Sequence, residues 1–165
     1  METEFDITLT SLDMYRFSMY HTYTGMQGIL SIIIAIMCFV AAVVTRGNVT
    51  DMYTALYAGF GVIFLLYMPF TLYLRAKRQF LMSKSLRSTL HYRIDEKGIH
   101  TTQNEASADL SWEQVYKVVS TKSNVLIYSS RIHAYIIPRE QIIKQYETIR
   151  KIAGASLPAY RFKMK

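Results

Sequence analysis

The chain has 165 residues, 51% of them hydrophobic, and its 19 basic and 12 acidic residues give a formal net charge of +7. This length suits one globular domain, or a small domain with an appendage. Its single cysteine, Cys38, excludes an intrachain disulfide and a cluster of thiolate metal ligands, so we expect this residue to contribute only to packing.

Two long runs without a charged residue dominate the first half of the chain. They cover residues 26–44 and 52–74, and each is long enough for a helix to cross a hydrocarbon core about 30 Å thick. We therefore predict two transmembrane helices joined by a short loop. Two buried helices of a soluble domain are the main alternative, but such helices are usually shorter or carry a polar stripe. A cleaved signal peptide fits less well, because an acidic segment precedes the first run.

Small residues one helical turn apart could let the two apolar helices approach closely. Ser31 and Ala35 form such a pair in the first run, and Ala55 and Gly59 form one in the second. Pro69 lacks a backbone N–H and is expected to kink the second helix. The sequence therefore predicts a packed helical hairpin over residues 25–74.

Positive charge is concentrated after the second run. From residue 75 to the end there are 17 basic and 7 acidic residues, a formal charge of +10. Basic residues close to a membrane span are retained on the cytoplasmic side, so both termini are predicted to be cytoplasmic. The predicted contacts with the membrane surface and its anionic lipid headgroups are the five basic residues nearest the span, which are Arg75, Lys77, Arg78, Lys84 and Arg87.

Residues 75–90 are predicted to form a basic connector helix. Five apolar residues within about half of its circumference would dock it on a following sheet, namely Ala76, Phe80, Met82, Leu86 and Leu90. A basic segment can also bind nucleic acid. Apposition to an anionic membrane explains the charge, at about 1 kcal/mol per basic residue, so no nucleic-acid partner is predicted.

After residue 90 the pattern changes to short alternating segments separated by turn signals. "HYRID" alternates Tyr92 and Ile94 with polar residues, and "EKG" is a turn before "GIHTTQ". Further strands are predicted over "ADLSW", "VYKVVST", "NVLIYSS" and "AYIIP", with residues 122–124 as a hairpin connection. The pattern predicts five or six strands in one small antiparallel sheet or partial barrel.

A C-terminal helix is predicted from Pro138 to Gly154. Proline suits a first helical turn, glycine commonly ends a helix, and one face between them is apolar, with Ile142, Tyr146, Ile149 and Ala153. A sheet capped by one amphipathic helix resembles a pleckstrin-homology-like topology. The predicted fold is therefore a membrane α-helical hairpin, an α+β cytoplasmic domain over residues 91–154, and a basic tail over residues 155–165.

The segments "YRIDEKGI", "SWEQVYKVVSTKSNVLIY" and "AYIIPRE", after two apolar spans and a basic connector, resemble bacterial YcxB-like membrane proteins. The matching positions are Gly98, Ile99, Ser111, Trp112, Lys122, Ile136, Ile137, Pro138 and Arg139. "FDITLTSLDMYRFSMYH" is similar to that family's opening strand and short helix, which implies these elements within residues 1–24. Arg139 stands where lysine is usual, and Met14 separates Asp13 from Tyr15 where adjacency is expected. The resemblance implies a bacterial inner-membrane location and an architecture, because the family has no settled biochemical function.

The chemistry-bearing residues do not form a recognisable catalytic or metal-binding pattern. The four histidines are scattered in sequence, so we predict no enzyme activity, cofactor or metal; they are His21, His91, His100 and His133. Trp112 could anchor a partner, but we expect it in the core of the sheet. The tail alternates aromatic and basic residues, and we consider Tyr160, Arg161 and Phe162 candidate partner contacts, at a membrane interface or in a frayed end.

Two functions are compatible with this reading. In the first, the hairpin holds a non-catalytic pleckstrin-homology-like domain at the cytoplasmic membrane face, where it binds a protein partner or anionic lipid headgroups. In the second, the chain is an immunity protein that neutralises a membrane-acting or cytoplasmic bacterial toxin. A membrane complex and a toxin are thus the two predicted classes of protein partner. The sequence leaves open whether the chain also forms a homo-oligomer.

Overall fold

The computed structural model describes residues 1–104 and 106–164. The chain divides into two compact units, one formed by Met1–Phe17 with the chain from Lys77 onward, and the other by Ser18–Ala76. All eight described strands lie in the first unit, which we call the strand unit, and the second contains the long apolar helical segments.

The apolar runs form helices, as predicted. Helix α1 covers Ser11–Tyr23, α2 covers Met26–Thr45 and α3 covers Asp51–Met82. The last of these is longer than the apolar run, and it continues through Pro69. Arginine and lysine are good helix formers, so the basic residues that follow the apolar run do not end the helix.

One of the two predicted small-residue pairs lies where α2 and α3 meet. Ser31 and Ala35 are buried, and the Ser31 hydroxyl donates a hydrogen bond to the carbonyl oxygen of Phe64 at 3.0 Å. On α3 the close approach occurs at Gly61, where a Cβ would lie 2.9 Å from the ring of Phe39. The prediction for Ala55 and Gly59 is wrong, because both are exposed and a Cβ on Gly59 would meet nothing.

The predicted connector helix over residues 75–90 is interrupted. Helix α3 ends at Met82, and a four-residue helix α4, Lys84–Arg87, follows a break at Ser83. Of the five residues expected to dock on the sheet, Met82 is 72% exposed, so the prediction is wrong there. Because the helix is broken at Ser83, the residues on its two sides no longer share the single apolar face expected of a continuous helix.

The first sheet has the order β1-β2-β3-β4 and is antiparallel. Its strands are β1 at Thr3–Ile7, β2 at Leu90–Ile94, β3 at Gly98–Gln103 and β4 at Ala106–Ser111. The N-terminal strand thus pairs with a strand more than eighty residues later, with Phe5 opposite Tyr92 and their rings stacked at 5.5 Å. The apolar helices are inserted in the chain between two neighbouring strands of one sheet.

The second sheet has the order β7-β6-β5-β8. Its strands are β5 at Lys117–Ser120, β6 at Asn124–Tyr128, β7 at Ala134–Pro138 and a short β8 at Phe162–Lys163, which runs parallel to β5. The prediction of one small sheet is therefore wrong. A 3-10 turn at Trp112–Gln114 separates β4 from β5, and two strands from distant parts of the chain complete the two sheets.

The core of the strand unit consists of aliphatic and aromatic side chains from both sheets. Strand β6 is buried along its whole length, as expected of a central strand covered on both faces. Trp112 is only 5% exposed, which confirms it as a core residue, and its indole N–H donates to the carbonyl oxygen of Asp95 at 2.8 Å. The hydrogen bond ties the 3-10 turn to the turn between β2 and β3.

The C-terminal helix starts later than predicted. Pro138 ends β7, where it pairs with Asn124, and the backbone N–H of Arg139 donates to the carbonyl oxygen of Ser123 at 2.8 Å. A 3-10 turn at Arg139–Gln141 follows, and helix α5 covers Tyr146–Ser156. Gly154 therefore lies inside the helix, where a Cβ would lie 3.4 Å from the ring of Phe162, an ordinary van der Waals distance.

Helix α1 begins with a capping box beside the second sheet. The N–H of Asp13 donates to the Thr10 hydroxyl at 3.2 Å, and the Thr10 N–H donates to the Asp13 carboxylate at 3.0 Å. The buried side chain of Asn124 donates to the carbonyl oxygen of Asp13 at 3.4 Å. This contact places the start of α1 next to the turn between β5 and β6.

Candidate functional site

The two helices α2 and α3 are long and apolar enough to cross a membrane. Few residues of their most apolar segments are buried, 22% in α2 and 6% in α3. Their large apolar side chains therefore point away from the protein, which is unusual for a helix in the core of a soluble domain. These apolar surfaces indicate a hydrophobic environment around both helices.

The five basic residues predicted to contact the membrane surface are all exposed. Arg75, Lys77 and Arg78 lie in α3 just after its apolar part, and Lys84 and Arg87 lie in α4. Successive helical positions are about 100° apart, so the three residues lie within about 160° of the helix circumference and form a basic cluster on one side of α3. Among residues 1–104 and 106–164, none of the five takes part in an ion pair. Their charges are available to an external anion.

A glutamine side chain holds α4 on the first sheet. The Nε2 atom of Gln103, in β3, donates to the carbonyl oxygen of Ser85 at 2.7 Å and to the Ser88 hydroxyl at 3.0 Å. The Ser85 hydroxyl donates back to Oε1 of Gln103 at 2.5 Å. Because α4 carries Lys84 and Arg87, these bonds position both cations relative to the sheet. A local sequence pattern does not indicate this contact.

The tail residues Tyr160, Arg161 and Phe162 do not form one surface. Phe162 belongs to β8, and the guanidinium of Arg161 donates to the carbonyl oxygens of Glu113 and Val115, both at 3.3 Å. Tyr160 is the most exposed of the three. The tail is therefore ordered through Met164, and Lys165 lies outside the described residues.

The solvent face of the first sheet carries cross-strand pairs that the sequence analysis missed. The Nδ1 atom of His91 lies 2.7 Å from the Asp6 carboxylate, and that of His100 lies 2.6 Å from the Asp109 carboxylate. Each pair joins residues that are directly opposite in the ladder. The alternation of β2 and β3 could have placed both histidines on the solvent face, but their partners depend on the strand register.

Asp95 stabilises the turn between β2 and β3. Its Oδ1 atom accepts hydrogen bonds from the N–H groups of Lys97 at 2.7 Å and Gly98 at 3.1 Å. Partial burial raises the pKa of the Asp95 carboxyl, but these two N–H groups and the nearby ring of His100 outweigh burial and hold the pKa below its ordinary value. The charged carboxylate is thus favoured by the folded turn.

Replacing Asp95 by asparagine is expected to destabilise the strand unit at neutral pH by about 1 kcal/mol, because the amide accepts more weakly than the carboxylate. A lowered folded-state pKa stabilises the protein above the unfolded-state value and loses this effect as the pH falls through the folded-state value. The difference between wild type and D95N should therefore shrink below pH 3.8, the ordinary value. Thermal unfolding of the detergent-solubilised chain between neutral and acidic pH measures it. The exposed Glu113→Gln is the control, and an equal pH dependence in both variants would contradict the role of Asp95.

No group of three or more histidine, cysteine, aspartate or glutamate side chains is arranged to hold a metal ion within the part of the chain that the structure describes. On this open sheet face, His91, His100 and Asp109 line a depression of about 390 Å³ together with Arg93 and Thr102. The arrangement provides charges and hydrogen-bonding groups at a surface.

Comparison with known proteins adds a family relationship for part of the chain. Residues 94–153 match the family model of the YcxB-like protein. The match runs from the end of β2 into α5, and it confirms the resemblance over that segment. No curated protein and no solved structure matches the chain.

Proposed function

We propose that this chain, which carries a YcxB-like domain over residues 94–153, is a multi-pass protein of the bacterial inner membrane that holds a non-catalytic binding domain at the cytoplasmic face. The observation that carries the proposal is the sequence of features along α3, where an exposed apolar segment is followed by a cluster of exposed cations that form no ion pair with the described residues. Such a boundary is typical of a helix that leaves the bilayer on its cytoplasmic side.

The strand unit supports a pleckstrin-homology-like domain. Four antiparallel strands are followed by three more and then by α5, which is the order of elements expected for that topology. In this interpretation the membrane hairpin is inserted between the first two strands, so the domain is discontinuous in sequence. Both connections then anchor the domain, and its freedom to leave the membrane surface is restricted.

The domain would bind a protein partner or anionic lipid headgroups. Cations near the inner leaflet each contribute about 1 kcal/mol of attraction to anionic lipids, and the exposed β4 edge could accept an extended peptide. Purification from native membranes separates these alternatives. A resident membrane complex would favour the protein partner, lipid alone would favour headgroup binding, and a toxin would favour the immunity role.

Reporter fusions test the topology directly. We expect a cytoplasm-active fluorescent reporter to work after Lys165, and an export-dependent phosphatase to work in the loop at Gly47, where a side chain would meet no other atom. The chain should also remain in the membrane fraction at alkaline pH, as integral proteins do. Phosphatase activity only at the C-terminal fusion would overturn the orientation, and alkaline extraction of the chain would overturn membrane insertion.

A further inference from the structure

One end of the strand unit carries both connections to the apolar helices. The N–H of Thr8, just after β1, donates to the Gln141 side chain at 2.9 Å, and that side chain donates back to the Thr8 carbonyl oxygen at 2.8 Å. The hydroxyls of Thr8 and Thr89, which precedes β2, are 3.4 Å apart. We call this region the connection end and define it as Thr8, Thr89, the turn at residues 121–123 and residues 139–145.

The turns of the second sheet at the connection end are held together by Arg139. Its guanidinium donates to the carbonyl oxygen of Thr121 at 3.1 Å and lies 4.3 Å from the centre of the Tyr146 ring. The backbone N–H of Arg139 is bonded to Ser123, as described above. The turn that carries Lys122 and the segment that carries Ile143 are therefore fixed side by side.

An exposed isoleucine lies among basic side chains at this end. Ile143 is 75% exposed, and Lys122 and Lys144 are exposed as well. Ile143 also lines a depression of about 250 Å³ with Arg139, Glu140 and Tyr146. Glu140 is the exposed acidic residue in this group, so the segments that carry Ile143 and the adjoining turn contain three basic residues and one carboxylate.

A protruding aliphatic side chain flanked by lysine and arginine suits the boundary between lipid headgroups and acyl chains. Transfer of an isoleucine side chain from water to acyl chains is favourable, and Ile143 gains nothing of this kind while it is exposed to water. The neighbouring cations gain further from anionic lipid phosphates. Apolar burial and attraction to phosphates are each weak alone. Together they favour binding to a bilayer that contains anionic phospholipid.

We propose that the connection end is a second bilayer contact, in which Ile143 enters the membrane interface and Lys122, Arg139 and Lys144 bind the phosphates of anionic phospholipids. The inference rests on the proposed function, because the hairpin must hold the domain near the membrane. It assigns the headgroup contact to a surface of the domain itself, apart from the basic cluster on α3.

The test uses the full chain in nanodiscs of phosphatidylcholine, with and without phosphatidylglycerol. Cys38 is replaced by alanine, and a single cysteine at position 143 or 132 carries an environment-sensitive fluorophore. Ile132 is the matched control, since it is 64% exposed, follows Arg131, and lies at the opposite end of β7. We expect a blue shift and quenching by brominated acyl chains for the label at 143 in the anionic nanodiscs only, and none at 132.

Removing the charges provides a second measurement. Each neutralised lysine should reduce the ratio of docked to undocked domain about fivefold, so Lys122→Gln with Lys144→Gln should abolish the anionic-lipid effect on the label. Lys97→Gln with Arg131→Gln removes the same charge from exposed positions at the other end and should leave the effect unchanged.

The outcomes separate this inference from the proposed function. If the chain is reconstituted and the label at 143 is no more quenched than the label at 132, the inference is wrong and membrane anchoring stands. Protection at 143 in native membranes but in neither nanodisc would also overturn it, because the surface would then belong to a protein partner. A chain that does not enter nanodiscs and is extracted at alkaline pH contradicts the proposed function itself.

Discussion

Trp112→Ala is expected to destabilise the strand unit by about 3–5 kcal/mol, the cost of deleting a large aromatic side chain from a packed core. Trp112 is buried, and its loss would also leave the Asp95 carbonyl oxygen without its indole donor. Hydrogen exchange of the full chain in detergent measures the effect as lost protection of the β3 and β6 amides.

Two further variants separate packing from hydrogen bonding at this position. Trp112→Phe keeps an aromatic ring but removes the N–H donor, so the loss should be smaller, with about 1 kcal/mol from the hydrogen bond. Tyr116→Ala removes an aromatic side chain that is 45% exposed, against 5% for Trp112, and should change stability by about 0.5 kcal/mol or less. Equal protection in Trp112→Ala and Tyr116→Ala would show that Trp112 does not support the core.

Replacing all five membrane-proximal basic residues by glutamine is expected to give a mixed orientation in the membrane. The substitution removes roughly 5 kcal/mol of attraction to the anionic leaflet, at about 1 kcal/mol per residue, and most of the positive charge near the end of α3. The residues changed are Arg75, Lys77, Arg78, Lys84 and Arg87. The fluorescence of a C-terminal reporter should fall, and export-dependent phosphatase activity at the C terminus should appear.

A matched control removes the same number of positive charges at positions far along the chain from the end of α3. Its five positions, all substituted by glutamine, are Lys117, Arg131, Arg150, Lys151 and Lys163. Orientation should be unchanged in this variant, because basic residues orient a span only within about 15–20 residues of its end. An equal shift in both variants would mean that net charge, and not its position, determines the orientation.

Local signals predicted most of the elements of the strand unit. The alternation in "HYRID" placed Tyr92 and Ile94 in the core, where both are buried. The "EKG" turn and the hairpin at residues 122–124 also lie where they were expected. These features depend on periodicity and turn chemistry within a few residues, which is why a single sequence contains enough information about them.

Element boundaries were less predictable where two signals competed. Pro138 suits the first turn of a helix, but pairing with Asn124 keeps it in β7, and the bond from Arg139 to Ser123 uses the next N–H group. Gly154 suits a helix end, but α5 continues to Ser156. At Pro138, contacts with a distant segment outweighed a local preference.

The candidate sites likewise include features that the sequence predicted and features that depend on tertiary contacts. The exposure of the cations from Arg75 to Arg87 follows from their position after an apolar run. The tail triplet was different, because β8 and the bonds of Arg161 withdraw two of its three side chains from the surface. The connection end combines residues from four separate segments, so no local pattern indicated that the turn at residues 121–123 would be bonded to Arg139.

The sequence by itself determined the two apolar helices, the basic segment after them and the alternating strands, because hydropathy, charge and periodicity act over short stretches of chain. Only the tertiary structure decided that β1 pairs with β2 across the inserted helices, that β8 completes the second sheet, and that Arg139 ties the segment after β7 to the turn at residues 121–123. These arrangements depend on backbone hydrogen bonds and burial between segments far apart in the chain. Many alternative pairings satisfy the same local pattern, and the packing of the whole unit selects among them.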